Sequence, residues 1–200
     1  MGGTNVWQRM IENDPDHSRR YAQRWRDLAA AGEDINGEAR LIDAMLPRRS
    51  SVLDAGCGTG RVGGYLLDAG HDVTGVDLDP FLIEVAQQDH PNGRWYQGDL
   101  ATFEFPEGER DSFDVIVSAG NVMGFLAQDN RGQTLKNLAR FLNPAGRLVI
   151  GYGAGRGYEF GDFLSDAAAA GLKVQQAYSS WELQPFDENS DFLVAVLVRN

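Results

Sequence analysis

Apolar and polar positions change their rhythm along this chain. Up to about residue 50 the pattern is helical and polar. In the run from Tyr21 to Leu28, Tyr21, Trp25 and Leu28 fall at i, i+4 and i+7 and share one face. Gly32 and Asn36-Gly37 break that helix, Glu38 to Met45 forms another, and Pro47 ends it. From Ser51 onward short apolar runs alternate with helical stretches. The runs predict strands over Ser51–Ala55, Asp72–Asp77, Arg94–Gln97, Phe113–Ser118 and Arg147–Tyr152. Helices are expected over Arg61–Ala69, Phe81–Gln88 and Asn130–Leu142, with Asn143-Pro144-Ala145-Gly146 as a turn. Phe160–Ala170 is the last long helix, stopped by Gly171. Leu172–Trp181 and Asp191–Arg199 then read as two strands joined by a loop without a helix. Such alternation predicts a parallel α/β sheet, here closed by an antiparallel hairpin.

Chemistry concentrates in the first strand-to-helix turn, Val52-Leu53-Asp54-Ala55-Gly56-Cys57-Gly58-Thr59-Gly60-Arg61. An apolar strand ends in an acid, and glycine then occupies every second position. Gly56, Gly58 and Gly60 let the backbone turn sharply and approach a ligand with no Cβ in the way. Their N–H groups sit at a helix N-terminus, where polar or anionic groups dock. The turn therefore reads as a small-molecule cofactor loop. Gly58-Thr59-Gly60-Arg61-Val62-Gly63 also satisfies the dinucleotide fingerprint G-x-G-x-x-G. In that fold, however, the first fingerprint glycine closes the strand directly, whereas here Asp54-Ala55-Gly56 closes it earlier. A glycine-rich turn with no ligand is the third alternative.

The run Asp54-x-Gly56-x-Gly58-x-Gly60 resembles motif I of the class I S-adenosylmethionine-dependent methyltransferases, and the resemblance extends over about residues 40 to 198. It implies a three-layer, Rossmann-like, seven-stranded sheet, mostly parallel, with a C-terminal antiparallel hairpin. It also implies one domain over 1–200, with an N-terminal helical cap at 1–45 and a cofactor-binding core at 51–199. The implied activity is methyl transfer from S-adenosyl-L-methionine; a chain this short leaves little room for a dedicated substrate domain, so a small-molecule acceptor is expected. Asp77, with Leu78 beside it, ends the second strand, where an acid accepts hydrogen bonds from ribose hydroxyls. Asp99 matches the acid that takes the adenine amino group, and the N–H of Leu100 would meet a ring nitrogen. Phe113–Ser118 resembles motif IV, which places the carbonyl of Ser118 or Ala119 near the methionyl amino group. Asp54 is expected to be buried and to hold the glycine loop. Tyr21 and Arg24 or Arg26 suit the methionyl carboxylate. Trp25, Tyr152 and Arg156 are candidates for the acceptor wall, Arg156 from a mobile glycine-rich loop, and His17 and Asn121 are the weak candidates for a catalytic group. Asn121 reads equally as a turn residue beside Gly120. Trp181, Phe186 and Phe192 are expected to pack the hairpin, Cys57 to pack the loop, and His71 and His90 to lie at the surface.

Composition narrows the partners. Net charge is −11 and Lys plus Arg total 18, so a phosphate backbone would be repelled and nucleic acid is not expected. With Cys57 as the only cysteine, no disulfide forms within the chain, which suits a cytoplasmic setting. No apolar run reaches the ~20 residues of a membrane span, and no metal is expected. Met1-Gly2-Gly3 would be compatible with acylation. Two other functions stay open at this level. An NAD-type oxidoreductase would need a Tyr-x-x-x-Lys pair, and neither Lys136 nor Lys173 has a tyrosine four residues before it. A non-catalytic S-adenosylmethionine-binding regulatory protein is the other.

Overall fold

A computed structural model describes residues 3–200; Met1 and Gly2, and with them the acylation motif, lie outside the described residues. Three helices come first: α1 (Val6–Asn13), α2 (His17–Ala30) and α3 (Gly37–Ala44). The alternating series follows as β1 (Ser51–Ala55), α4 (Arg61–Asp68), β2 (Asp72–Asp77), α5 (Pro80–Asp89), β3 (Arg94–Gln97), β4 (Phe113–Ser118), the short α6 (Val122–Phe125), α7 (Arg131–Arg140) and β5 (Leu142–Gly153). It closes with α8 (Phe160–Ala169), β6 (Leu172–Tyr178) and β7 (Phe192–Arg199). The strands form one seven-stranded sheet in the order β3-β2-β1-β4-β5-β7-β6. All neighbouring pairs are parallel except those of β7, which runs antiparallel to both β5 and β6. The chain order reverses between β1 and β4, and ligands in such sheets bind at the carboxyl ends of the strands flanking that switch.

Both faces of the sheet are covered, which is why β1 is buried at every position. Successive side chains leave a strand on opposite faces. Leu53, Ile116, Leu148 and Ile150 pack with Leu135, Leu138 and Phe163 of α7 and α8. Val52, Val115, Val117 and Val149 pack with Ile42, Leu66 and Ile83 of α3, α4 and α5. No described helix is long and apolar enough to cross a membrane.

The expected helix over Asn130–Leu142 ends at Arg140, and the expected turn at Asn143–Gly146 lies inside β5. Leu142 already pairs with Phe113, and pairing resumes at Val115 with Arg147, so the Asn-Pro-Ala-Gly stretch bulges out of the ladder. Turn residues do not end a strand when the partner strand waits on both sides of them.

Trp95 organises the first half of the sheet. Only 6% exposed, it donates its indole N–H to the carbonyl of His90 at 2.8 Å. A Cβ at Gly60, Gly63, Gly75 or Gly93 would press into its ring. These glycines make room for one large side chain between α4, β2 and β3. Gly75→Ala is therefore expected to cost about 1–3 kcal/mol through overpacking, read as a lower denaturation midpoint at unchanged m-value. A variant as stable as the parent would show this packing to be loose.

Candidate active site

The glycine turn takes its shape from left-handed backbone at Gly56 (φ 82°), Gly58 (φ 55°) and Gly60 (φ 77°). The carbonyl of Val76 in β2 accepts from the N–H groups of Gly56 (2.8 Å) and Cys57 (3.1 Å), which pins the loop to the neighbouring strand. Asp77 continues that work. Its Oδ2 accepts from Gly58 N–H at 2.8 Å, and its Oδ1 from Asp79 N–H at 2.9 Å. Asp54 lies beneath, 2% exposed, and accepts from Gly63 N–H at 3.0 Å. Burial raises the Asp54 carboxyl to about 7 and the Asp77 carboxyl to about 6, and a neighbouring acid adds to each, Asp77 to the first and Asp79 to the second. Burial also pushes the Cys57 thiol well up, so it is held as a neutral, packed group.

A cavity of about 550 Å³ opens above this turn. Gly56, Gly58, Asp77, Leu78, Asp99, Leu100 and Ala119 line its floor along the carboxyl ends of β1 to β4. Asp99 accepts from Ala101 N–H at 2.9 Å, which orients its carboxylate at the end of β3. Carboxylates only accept hydrogen bonds, so Asp77 and Asp99 suit a ligand with hydroxyl donors at one point and an amino donor at another. Between them the floor is glycine, with Tyr21 lying 3.5 Å from where a Cβ of Gly58 would stand. A flat, hydroxylated nucleoside fits this cradle.

The N-terminal helices form the roof. Asn5 caps α1 by accepting from Trp7 N–H at 2.8 Å. The indole N–H of Trp7 donates to Asp79 at 2.9 Å, and the hydroxyl of Ser18 donates to the same oxygen. Trp7 meets His17 edge-on at 4.8 Å, Tyr21 at 5.2 Å and Phe125 of α6 at 5.6 Å. Further along α2, Arg61 stacks 4.2 Å over Trp25 and makes a bidentate pair with Glu38 at 2.8 and 2.9 Å. That pair satisfies both charges inside the wall.

The structure brings together His17, Tyr21, Trp25, Asn121 and Arg156 on this cavity with the floor residues, and leaves others outside. Arg26 does not face it. The side chain pairs with Asp89 at 3.1 Å on the outer side of α2, while Arg24, three residues from Tyr21, shares its face and lines the cavity. Tyr152 is fully buried on the opposite face of β5, against Phe160 and Phe163, because strand periodicity sends it away from the Gly151 and Gly153 side. Gly60 looks toward Trp95 and Ala86, so it serves helix packing, and Asp54 acts from below the loop. Asn121 has φ 66° and its Oδ1 accepts from Gly153 N–H at 2.8 Å, joining the ends of β4 and β5. Of the two histidines expected at the surface, His71 is buried and bonds Asp43 at 2.9 Å, whereas His90 is half-buried against Trp95, which lowers its pKa.

Several lining residues carried no clear mark in the sequence. Val122 and Phe125 sit on α6, too short for a periodic pattern. Trp7 and Met10 are spaced i, i+3 on α1, a signal that could have found them. Trp181 and Phe192 line the cavity as well as packing the hairpin.

Residues 52–146 match a family model described as a methyltransferase domain. A solved TehB-like S-adenosylmethionine-dependent methyltransferase from Corynebacterium glutamicum is 58% identical, covers 94% of this chain with all of its own, and superposes with a TM-score of 0.88. The dTDP-3-amino-3,4,6-trideoxy-alpha-D-glucopyranose N,N-dimethyltransferase of Streptomyces venezuelae is 29% identical over 65% of this chain and 52% of its own length. The malonyl-[acyl-carrier protein] O-methyltransferase of Pectobacterium atrosepticum is 41% identical over 62% of this chain and 47% of its own length. The chain thus spans about half the length of these curated relatives. Glycine turn, sheet order and end-to-end similarity to a solved member agree: this chain belongs to the class I S-adenosylmethionine-dependent methyltransferases, and S-adenosylmethionine is its cofactor.

Proposed function

We propose that this chain, as a single domain, methylates a small-molecule acceptor in the cytoplasm, with the acceptor entering between the helical roof and the ends of β4 and β5. The observation that carries this reading is the division of one cavity into two chemically different halves. Two strand-end carboxylates and a glycine floor lie on one side. Phe125, Trp181 and Phe192 lie toward α6 and the end of β5. In this reading Asp77 accepts from the ribose hydroxyls, Asp99 from the adenine amino group, and Leu100 N–H meets the ring. Arg24, which shares the Tyr21 face of α2, takes the methionyl carboxylate in place of Arg26. S-adenosylmethionine supplies an already activated methyl group, so the protein's task is to align the acceptor and keep water out. Where the acceptor has a proton to lose, His17 is the imidazole on the acceptor side. Asn121 acts by holding β4 against β5. The net charge of −11 favours a small molecule over nucleic acid. The Streptomyces venezuelae relative is named for a small-molecule amino sugar, in line with this choice.

Calorimetric titration with S-adenosylhomocysteine and with NAD tests the reading. Tight binding of the first and none of the second is expected; the reverse would replace the reading with an oxidoreductase. Asp77→Ala should weaken S-adenosylhomocysteine binding by about 2–4 kcal/mol through loss of two charge-assisted hydrogen bonds. Unchanged affinity would remove Asp77 from the site.

The raised Asp77 carboxyl gives a pH signature. The cofactor-free protein holds this proton up to about pH 6, whereas ribose donors require the ionised form. Affinity should therefore rise as pH increases through about 6 and level off above it, with proton release on binding near the midpoint. Asp77→Asn should abolish that dependence. A flat profile in the parent between pH 5 and 7.5 would contradict the assignment.

The roof makes its own prediction. Trp7 and Ser18 hold α1 and α2 to Asp79, beside the ribose ligand. Bound S-adenosylhomocysteine should slow amide hydrogen exchange over about residues 5–30, because ligand binding suppresses local opening. Equal exchange with and without ligand would make these helices simple packing elements.

A further inference from the structure

We propose that the acceptor half of the cavity is built for a planar, apolar small molecule bearing a carboxylate, and that Arg156 is the residue that binds this carboxylate. The inference rests on the methyltransferase reading above and adds the chemical class of its acceptor.

Three glycines shape this half. Gly151 leaves the space that the Trp181 ring fills, since a Cβ there would collide with it. Gly153 receives Phe192, whose Cδ2 would stand 3.7 Å from a Cβ, and the amide oxygen of Asn121 at 3.5 Å. Gly124 of α6 receives Arg156 itself: a Cβ at 124 would meet the Cβ of Arg156 at 2.6 Å and its carbonyl oxygen at 3.0 Å. Rings therefore stand over the ends of β4 and β5, and flat apolar surface is what they cover best.

Arg156 sits in a glycine-rich loop, yet its backbone is anchored on both sides. Gly124 seats it from α6. Arg131 donates to the carbonyl of Gly157 and lies 4.1 Å over the ring of Tyr158. Tyr158 is 1% exposed and donates its hydroxyl to Asp166 at 2.6 Å.

The charges are placed unevenly. Of the three arginines that line the cavity, Arg61 holds Glu38, Arg24 is given to the methionyl carboxylate, and the exposed Arg156 makes no ion pair and no side-chain hydrogen bond among the described residues. The acids lining the cavity are Glu38, Asp77 and Asp99. Glu38 is neutralised by Arg61, and the other two belong to the nucleoside half. Glu182 and Asp191, next to Trp181 and Phe192 in the chain, do not line the cavity, so a cationic acceptor would find no unpaired lining acid outside the nucleoside half. An anionic one would find a planar guanidinium fork that matches a carboxylate.

The test is calorimetry on the whole chain saturated with S-adenosylhomocysteine, titrated with 4-hydroxybenzoate, phenol and benzylamine. 4-Hydroxybenzoate is expected to bind about tenfold or more tightly than phenol, with benzylamine weakest. Arg156→Gln should erase the preference and Arg156→Lys should keep part of it. Gly124→Ala adds a methyl group and no charge, yet should reduce the preference by displacing Arg156. In all three variants S-adenosylhomocysteine affinity should stay within about twofold of the parent, since none touches the nucleoside half. Equal binding of charged and neutral probes, a preference for benzylamine, no probe binding to the loaded protein, or a preference that survives Arg156→Gln would each overturn the inference. Failure of the parent protein to bind S-adenosylhomocysteine in the preliminary titration would overturn the methyltransferase reading as well, and is scored separately.

Discussion

One carboxylate joins the first two helices to the end of β2 and the start of α5. Asp79 is 2% exposed and its Oδ1 caps α5 by accepting from Phe81 N–H at 2.9 Å. Its Oδ2 accepts from the Trp7 indole and the Ser18 hydroxyl, which belong to the first two helices. A buried carboxylate persists only when donors surround it, so each of these groups is held by the need of that one charge. Asp77, two residues earlier, accepts from Asp79 N–H and from Gly58 N–H. The short stretch Asp77-Leu78-Asp79 therefore fixes the glycine turn, a helix N-terminus and the roof from a single strand end.

The same stretch explains why the site is concave. The sheet reverses its strand order beside β1, and the turns there diverge. Glycines at 56 and 58 keep the floor low, while the rings of Trp7, Tyr21 and Trp25 on the roof provide height. The cavity is thus acidic where a nucleoside's donors would lie and apolar where the acceptor would lie. Burial has raised both Asp54 and Asp77, so the cofactor-free protein carries less negative charge at this strand end than its sequence suggests.

Much of this was legible beforehand, and the failures have physical causes. The first four strands were read to the residue because each apolar run is bounded by a polar or glycine neighbour. The glycine turn and the acids Asp77 and Asp99 were legible as strand-end chemistry, and the structure brings them to one cavity. The start of β5 was missed because Asn143–Gly146 has turn composition yet is flanked by paired residues. Arg24 and Arg26 stood as alternatives until helix phase relative to Tyr21 put Arg24 on the cavity side, and Tyr152 stood as a candidate because the sequence does not show which face of β5 meets the cavity. His71 looked exposed because its partner, Asp43, is brought to it only by the tertiary fold. The seats that Gly124 and Gly151 provide for Arg156 and Trp181 are long-range contacts, which spacing along the chain does not reveal.

The central claim is that Asp77 and Asp99 bracket a nucleoside on the glycine floor. A crystal structure of the chain grown with S-adenosylhomocysteine tests it most directly. The account predicts ribose hydroxyls within hydrogen-bond distance of the Asp77 carboxylate, the adenine amino group on Asp99, and the sulfur facing the aromatic half of the cavity. Ligand density bound elsewhere, or an adenosine that leaves both carboxylates uncontacted, would contradict it.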